Sequence, residues 1–338
     1  METKVFNVNP IDPDDKILRM VSEVIKNGGL VAFPTETVYG LGANTFDERA
    51  VMKIFKVKKR PPDNPLIVHI SKLEQLEDIV SEFPKIAEKL AEIFWPGPLT
   101  MILKKSVKVP DIVCAGLPTV AVRMPSHPVA KKLIEFAEVP IAAPSANLSG
   151  RPSPTLGEHV IKDLFGKIDV ILEAGRTPLG LESTIVNISK FPPVLLRPGP
   201  ITVEKLKQIL PDLQIPDYIF KKSFEGKPLA PGMKYRHYSP VKPLILVENS
   251  KKMHDVLTEY ENAIVICPIE HAGRYKGRKI VIIGSLENPY SIAHNLFDVL
   301  RKVDEEEGTP IVVEGFEERG ILFSVMNRLR KAASKIIV

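Results

Sequence analysis

The sequence predicts an α/β fold in two domains. Three observations carry that reading. Short apolar, β-branched runs alternate with segments of helical spacing through the first two hundred residues. A proline-rich stretch from Pro211 to Pro240 shows no period and reads as a long linker. Beyond it, strands and helices alternate again in a shorter, tidier series, as in a parallel three-layer sheet. The expected organisation is a first domain over residues 14–203, a linker that lids a site over 204–240, and a smaller Rossmann-like α/β domain over 241–338.

The elements follow in order. The polar first fifteen residues read as a leading arm or edge strand. Ile17, Met20, Val21, Val24 and Ile25 recur at helical spacing. Leu30 to Phe33 is a buried strand that stops at Pro34. It opens into a polar, glycine-bearing loop, Thr35 to Gly42, read as a strand-to-helix connection at the carboxyl end of a strand. Asp47 should cap a helix with Val51, Ile54 and Phe55 inward, which runs into Lys56, Lys58, Lys59 and Arg60 and stops at Pro61-Pro62. Leu66 to Ile70 is a β-rich run carrying His69. Ile86, Leu90, Ile93 and Phe94 mark a helix broken at Trp95-Pro96-Gly97-Pro98.

Strands are expected at Leu99 to Leu103, Thr119 to Arg123, Ile141 to Ala143, Val170 to Leu172, Thr184 to Ile188 and Val194 to Leu196, with a helix over about Val203 to Leu210. In the last third, Leu244 to Val247, Ile264 to Cys267, Ile280 to Ile283 and Ile311 to Val313 are strands, and Ile292, Leu296, Val299, Leu300 and Val303 share a helical face. That part has neither GxGxxG nor GxxxxGK[ST], so it carries no dinucleotide or P-loop fingerprint.

Composition narrows the function. The chain has 338 residues, 44% hydrophobic and 26% charged, a globular balance. There is no run of 18 apolar residues to span a membrane. The polar N-terminus does not read as a signal peptide. Two isolated cysteines, Cys114 and Cys267, give no zinc knuckle or disulfide framework and suit a reducing cytoplasm. A net charge of +5 permits contact with phosphates or RNA without indicating a nucleic-acid-coating protein.

Four clusters could carry chemistry. They are the loop PTETVYGLG; Lys58, Lys59 and Arg60 with Asn64 and His69; Pro144-Ser145-Ala146-Asn147 with Ser149 and Ser153; and Glu182-Ser183-Thr184 with Arg197 further on. Arg123 and Arg197 each end an apolar strand, where an arginine must find an anion, a carbonyl or solvent. An internal salt bridge to a glutamate would satisfy either. Together the clusters supply cations and neutral donors but no acidic metal cage, no Ser-His-Asp set and no close carboxylate pair. Such a site suits a polyanion, with any magnesium held mainly by the ligand's phosphates. Within the linker, Lys234, Tyr235, Arg236 and His237 form a cluster that a passive connection rarely needs.

PTETVYGLG, Lys58-x-Arg60, Ser145-x-Asn147, WPGPLT, VAVRMP, ESTIV and LRPG together resemble the YrdC-like family of threonylcarbamoyl-adenylate synthases, and the linker with its C-terminal domain resembles the long form. The resemblance covers about Lys16 to Val203 and implies an open twisted α/β sheet around a basic hollow. It implies a nucleotidyltransferase that converts L-threonine, bicarbonate or CO2, and ATP to threonylcarbamoyladenylate and pyrophosphate. A separate tRNA threonylcarbamoyltransferase would receive the product, with weak tRNA contact allowed.

By the same resemblance Thr35, His69, Arg123 and Ser183, with backbone help near Ala143, would bind threonine. Lys58 and Arg60 would hold phosphates, assisted by Asn64, Ser145 and Asn147. Lys58, Arg60, Ser145 and Asn147 would act in catalysis. Thr119, Ser153, Arg197 and, from the lid, Tyr235 would contact the nucleotide. Two other classes fit parts of the chain. One is an RNA-binding or maturation module without adenylate-forming activity. The other is a hydrogenase-maturation carbamoyltransferase, which needs zinc-type cysteines that two isolated thiols do not supply.

Overall fold

In the computed structural model, residues 2–221, 226, 228–231 and 237–338 are described. Among them, ten strands form one mixed sheet: β1 (Lys4–Asn7), β2 (Val31–Phe33), β3 (Gly40–Asn44), β4 (Ile67–His69), β5 (Leu99–Lys104), β6 (Thr119–Arg123), β7 (Ile141–Ala143), β8 (Val170–Glu173), β9 (Thr184–Asn187) and β10 (Val194–Arg197). Their spatial order is β1-β8-β2-β3-β7-β4-β6-β5-β9-β10. Five more strands form a second sheet: β11 (Leu244–Val247), β12 (Ile264–Cys267), β13 (Lys279–Ile282), β14 (Ile311–Glu314) and β15 (Lys335–Ile337), ordered β13-β12-β14-β11-β15 and parallel throughout. The α/β class and the parallel second sheet match the sequence-based expectation.

One local expectation is corrected. The loop after β2 does not lead into a helix. It returns as β3, antiparallel to β2 with Val31 opposite Gly42, and the helix Glu48–Lys58 comes only after that. Glycines hide this strand from β-propensity, yet the packing requires one. A Cβ on Gly42 would lie 2.6 Å from Ile141 Cγ2 and 2.7 Å from the Phe33 ring. Asp47 does cap the following helix, accepting from the backbone N–H groups of Arg49 and Ala50.

Both faces of the large sheet are covered. Helices Asp15–Lys26 and Pro128–Ala137 pack against one face through Leu18, Val21, Ile25, Leu133 and Ile134. Helices Glu48–Lys58 and Lys85–Phe94 lie in the core of the other. In the second sheet the strand period of two sorts the side chains. Leu244, Leu246, Ile264 and Ile266 face helices Pro289–Lys302 and Ile321–Ala332, while Ile245, Val247 and Val265 face helix Met253–Glu259. The linker region is partly regular. Helix Val203–Lys207 is shorter than expected, Leu206, Leu210, Leu213 and Ile219 join the first core, and Gln214 pairs with Val194 beside β10.

The two domains share buried surface. Helix Ile321–Ala332 is buried along its whole length. Ser324 donates to the carbonyl of Gly199, and Asn327 to that of Ile219. Arg301 bonds the Pro152 carbonyl and pairs with Asp163 at 2.8 Å. Gly180, at φ +72°, lets a loop of the first domain lie directly on helix Pro289–Lys302, where a Cβ would meet the His294 carbonyl oxygen at 2.4 Å. Among the described residues no helix is long and apolar enough to cross a membrane.

Candidate active site

One cavity gathers most of the expected residues. Thr35, Arg60, His69, Arg123, Ala143, Ser145, Ser183 and Arg197 line it, together with Glu182. They arrive from the β2–β3 loop, the end of helix Glu48–Lys58, the carboxyl ends of β4, β6, β7 and β10, and the turn before β9. His69 and Arg123 are brought together by register, being direct partners where β4 and β6 run parallel. Pro231, His237 and Tyr238 also line the cavity, which holds about 60 Å³.

The β2–β3 loop is held by its own polar groups. Thr35 Oγ1 donates to the Val38 carbonyl at 2.7 Å and accepts from the N–H groups of Thr37 and Val38. Glu36 pairs with Arg123 Nη2 at 2.6 Å and accepts from Ser126 N–H. Arg123 also donates Nη1 to Thr37 Oγ1 and Nε to the Gly97 carbonyl. So the arginine has the internal glutamate partner and still lines the cavity. Burial, then the nearby Arg123 charge, brings His69 down to about 3, so the ring is neutral at pH 7.

Ser183 and Arg197 make a second unit. Arg197 donates Nε to the Ser183 carbonyl at 3.0 Å and Nη2 to Ser183 Oγ at 3.1 Å, and Ser183 Oγ lies 2.7 Å from Thr100 Oγ1. Behind them Glu182 accepts from Ser153 Oγ at 2.5 Å and from Arg328 Nε at 3.1 Å. Ser153 therefore reaches the cavity through Glu182. Burial pushes Glu182 upward, but Arg328 and Arg197 outweigh it and hold the carboxyl below its usual range. Arg328, on the buried C-terminal helix, has no exposed side-chain surface, and its Nη2 finds no hydrogen-bond acceptor among the described residues. Sequence reasoning named Glu182 within a cluster but missed Arg328, 146 residues away in the chain.

Besides Ser153, four expected residues lie outside the cavity lining. Lys58 is buried and donates Nζ to the carbonyls of Ser145 (2.6 Å) and Asn147. It clamps the loop that presents Ser145, and burial holds its ammonium well below the usual lysine range. Asn147 accepts from Ser145 Oγ and donates to the Leu148 and Arg151 carbonyls, which spends its amide on the loop. Asn64 lends its main-chain carbonyl to Arg60, while both polar atoms of its buried side chain have no hydrogen-bond partner among the described residues. Thr119 shares a face of β6 with Ala121 and Arg123 but sits four residues back, about 13 Å from Arg123. Tyr235 lies outside the described residues.

The electrostatics are strongly cationic. His237 is surrounded by Arg60, Lys331, Lys58 and Arg197, and burial followed by these charges holds it well below the usual histidine range. Lys331 is brought down to about 7 by burial, then by Arg328 and Arg197. Tyr238 stacks on Phe297 at 5.2 Å and lies under the Arg328 guanidinium. Among the described residues no three His, Cys, Asp or Glu side chains gather to hold a metal ion.

Comparison with known proteins covers both domains. Residues 23–199 match the family model Sua5_yciO_yrdC, described as "Telomere recombination". Residues 201–334 match Sua5_C, described as "Threonylcarbamoyl-AMP synthase, C-terminal domain". A threonylcarbamoyl-AMP synthase of Pyrococcus abyssi is 46% identical over 341 residues, covering 99% of each chain. One of Bacillus subtilis is 42% identical over 347 residues, covering 100% of each. The crystal structure of P. abyssi Sua5 complexed with L-threonine superposes with a TM-score of 0.92 at 45% identity, over 98% of each chain. The chain belongs to the threonylcarbamoyl-AMP synthase family, in its two-domain Sua5 form.

Proposed function

We propose that this cavity makes L-threonylcarbamoyladenylate and pyrophosphate from L-threonine, bicarbonate or CO2, and ATP. The supporting observation is the convergence, in one cationic cavity, of Thr35, His69, Arg123, Ala143 and Ser183 with Arg60, Ser145 and Arg197. The first group takes threonine. Arg123 receives the amino-acid carboxylate on guanidinium N–H groups that Glu36, Thr37 and Gly97 leave available. The second group, with Asn64, takes the phosphates, and Lys58 holds the Ser145–Asn147 loop against them.

An apolar strip of Ile67, Ile102, Ala121, Ile185 and Leu196 runs over the same sheet face, covered by Ala230. The nucleoside part of ATP lies along that strip, with Thr119 at its far end. Since 60 Å³ is far below the several hundred Å³ of a cofactor-sized pocket, ATP enters only when the linker shifts.

In the reaction the threonine amine forms a bond to the CO2 carbon and loses a proton, giving a carbamate. A carbamate oxygen attacks the α-phosphorus, the α–β bridging P–O bond breaks, and pyrophosphate leaves. Arg60 and Arg197 face the growing negative charge. Any magnesium would be held mainly by the phosphates and would add charge neutralisation there, since Glu182 is engaged by Arg328 and Ser153. The adenylate passes to a separate tRNA threonylcarbamoyltransferase. The buried free thiols Cys114 and Cys267 support a reducing, cytoplasmic setting. The test is pyrophosphate release from ATP with threonine and bicarbonate omitted in turn. Release should need both, and release indifferent to either omission would refute the reaction.

A further inference from the structure

The C-terminal domain has a cleft of its own. It lies outside the carboxyl ends of β11, β12, β13 and β14 and encloses about 710 Å³, lined by Glu248, His271, Leu286, Tyr290 and the segment that follows β14. The strand order places it well. The connection from β12 leads outward to β13, while that from β14 crosses the other way to β15. Adjacent parallel strands whose connections diverge open a crevice, and open α/β sheets bind ligands there.

A built polar group sits at that point. Glu314, the last residue of β14, is 1% exposed. Its Oε2 accepts from the Tyr275 hydroxyl at 2.9 Å and faces His271 Nδ1, also at 2.9 Å. Both partners come from the turn of 3-10 helix after β12, so the pair bridges the crevice. Glu314 Oε1 accepts no hydrogen bond from the described residues, and its ion-pair contact, Arg274 Nη1, is 3.7 Å away on a largely exposed side chain. One carboxylate oxygen is therefore fixed and the other has capacity to spare. Buried carboxylates held this way serve as acceptors for ligand hydroxyl or amine hydrogens.

The rest of the lining selects among such ligands. The carboxylates of Glu248, Glu314 and Glu317 line it with one arginine, Arg319, and Glu248 is paired with Arg330 Nε at 2.6 Å. Helix Ile321–Ala332 starts at Gly320, whose N–H already faces a carboxylate, Glu204 Oε1 at 3.3 Å. A phosphate is disfavoured on both counts. Phe316 and Tyr290 add flat apolar surface. A ribonucleoside combines a vicinal diol for Glu314, a flat ring for the aromatic residues and no charge. We propose that this cleft is a second, non-catalytic site that binds an uncharged ribonucleoside through its 2′,3′-diol to Glu314.

The test is hydrogen exchange of the full chain with adenosine as probe, because it separates this cleft from the first-domain cavity by peptide. Adenosine should slow exchange in peptides covering 269–275 and 314–322. Glu314→Gln should weaken that effect about 10- to 100-fold, the worth of hydrogen bonds to a charged acceptor, while leaving pyrophosphate release unchanged. Should that variant fail to fold, the comparison moves to the ligand: 2′,3′-dideoxyadenosine should leave both peptides unprotected in the native chain. Protection confined to first-domain peptides would overturn the proposal. So would equal protection by the dideoxy compound, or by AMP.

Discussion

Replacing Arg328 by Met is the sharpest probe of how the C-terminal domain supports the cavity. The substitution removes the guanidinium that bonds Glu182 at 3.1 Å and keeps most of the side chain's volume. Glu182 then stays buried with Ser153 and the Arg197 charge as its remaining support. Breaking one side of a buried ion pair costs about 3–5 kcal/mol, and these surviving partners put the loss near ~3 kcal/mol. Glu182→Gln should cost more, about 5 kcal/mol, because it leaves Arg328, Arg197 and Lys331 without their shared anion.

The double variant should lose less than the sum of the two, with a coupling of about 1–3 kcal/mol. Denaturant unfolding followed by the single tryptophan, the buried Trp95 of the first domain, measures all three. The pH dependence gives a second check. Glu182 is held below its usual range, so its stabilising contribution is present above about 4.5 and lost as pH falls through the lower folded value. The penalty of Arg328→Met should therefore shrink in acid. A Tm unchanged within about 1 °C, or strict additivity in the double variant, would refute the reasoning.

Three further outcomes follow from the same structure. Lys331 titrates at about 7 when folded and near 10.5 when unfolded, so between those values the unfolded chain binds more protons and stability rises with pH; Lys331→Met should flatten that rise in unfolding curves taken at pH 7 to 10. Arg123→Lys keeps the charge but loses the planar fork, and should raise KM for threonine about 10-fold or more while moving KM for ATP less than about 2-fold; equal shifts would remove Arg123 from the threonine side. Gly42→Ala presses a methyl group against Ile141 and Phe33 and should cost about 1–3 kcal/mol in thermal unfolding with little change in either KM.

Much of the fold was legible because local chemistry and tertiary structure agree. Asp47 and Pro61-Pro62 frame a helix through capping and steric effects that need no distant partner. β6, β7, β11 and β12 are continuous apolar runs, and their bounds match the sequence reading residue for residue. What was illegible depends on distant neighbours. β3 is glycine-rich because Phe33 and Ile141 occupy the space of a side chain. Helix Ile321–Ala332 escapes the sequence reading altogether, and its Arg328, Arg330 and Lys331 are buried only because both domains pack around it. Thr119 and Arg123 look equivalent along one strand, and only the position of the cavity separates them. Lys58 reads as a free cation on a basic run, but two carbonyls some ninety residues later claim it.

The buried helix Ile321–Ala332 also limits which motions can admit substrates. Swinging the two domains apart would uncover Phe323, which packs in the core of the first domain, break the bonds from Ser324 to Gly199 and from Asn327 to Ile219, and strand Glu182. The domain boundary is therefore a weld and not a hinge. Admission to the cavity then falls to side chains that line it from the linker, Pro231, His237 and Tyr238, so turnover should track their displacement while the two sheets keep a fixed relative orientation.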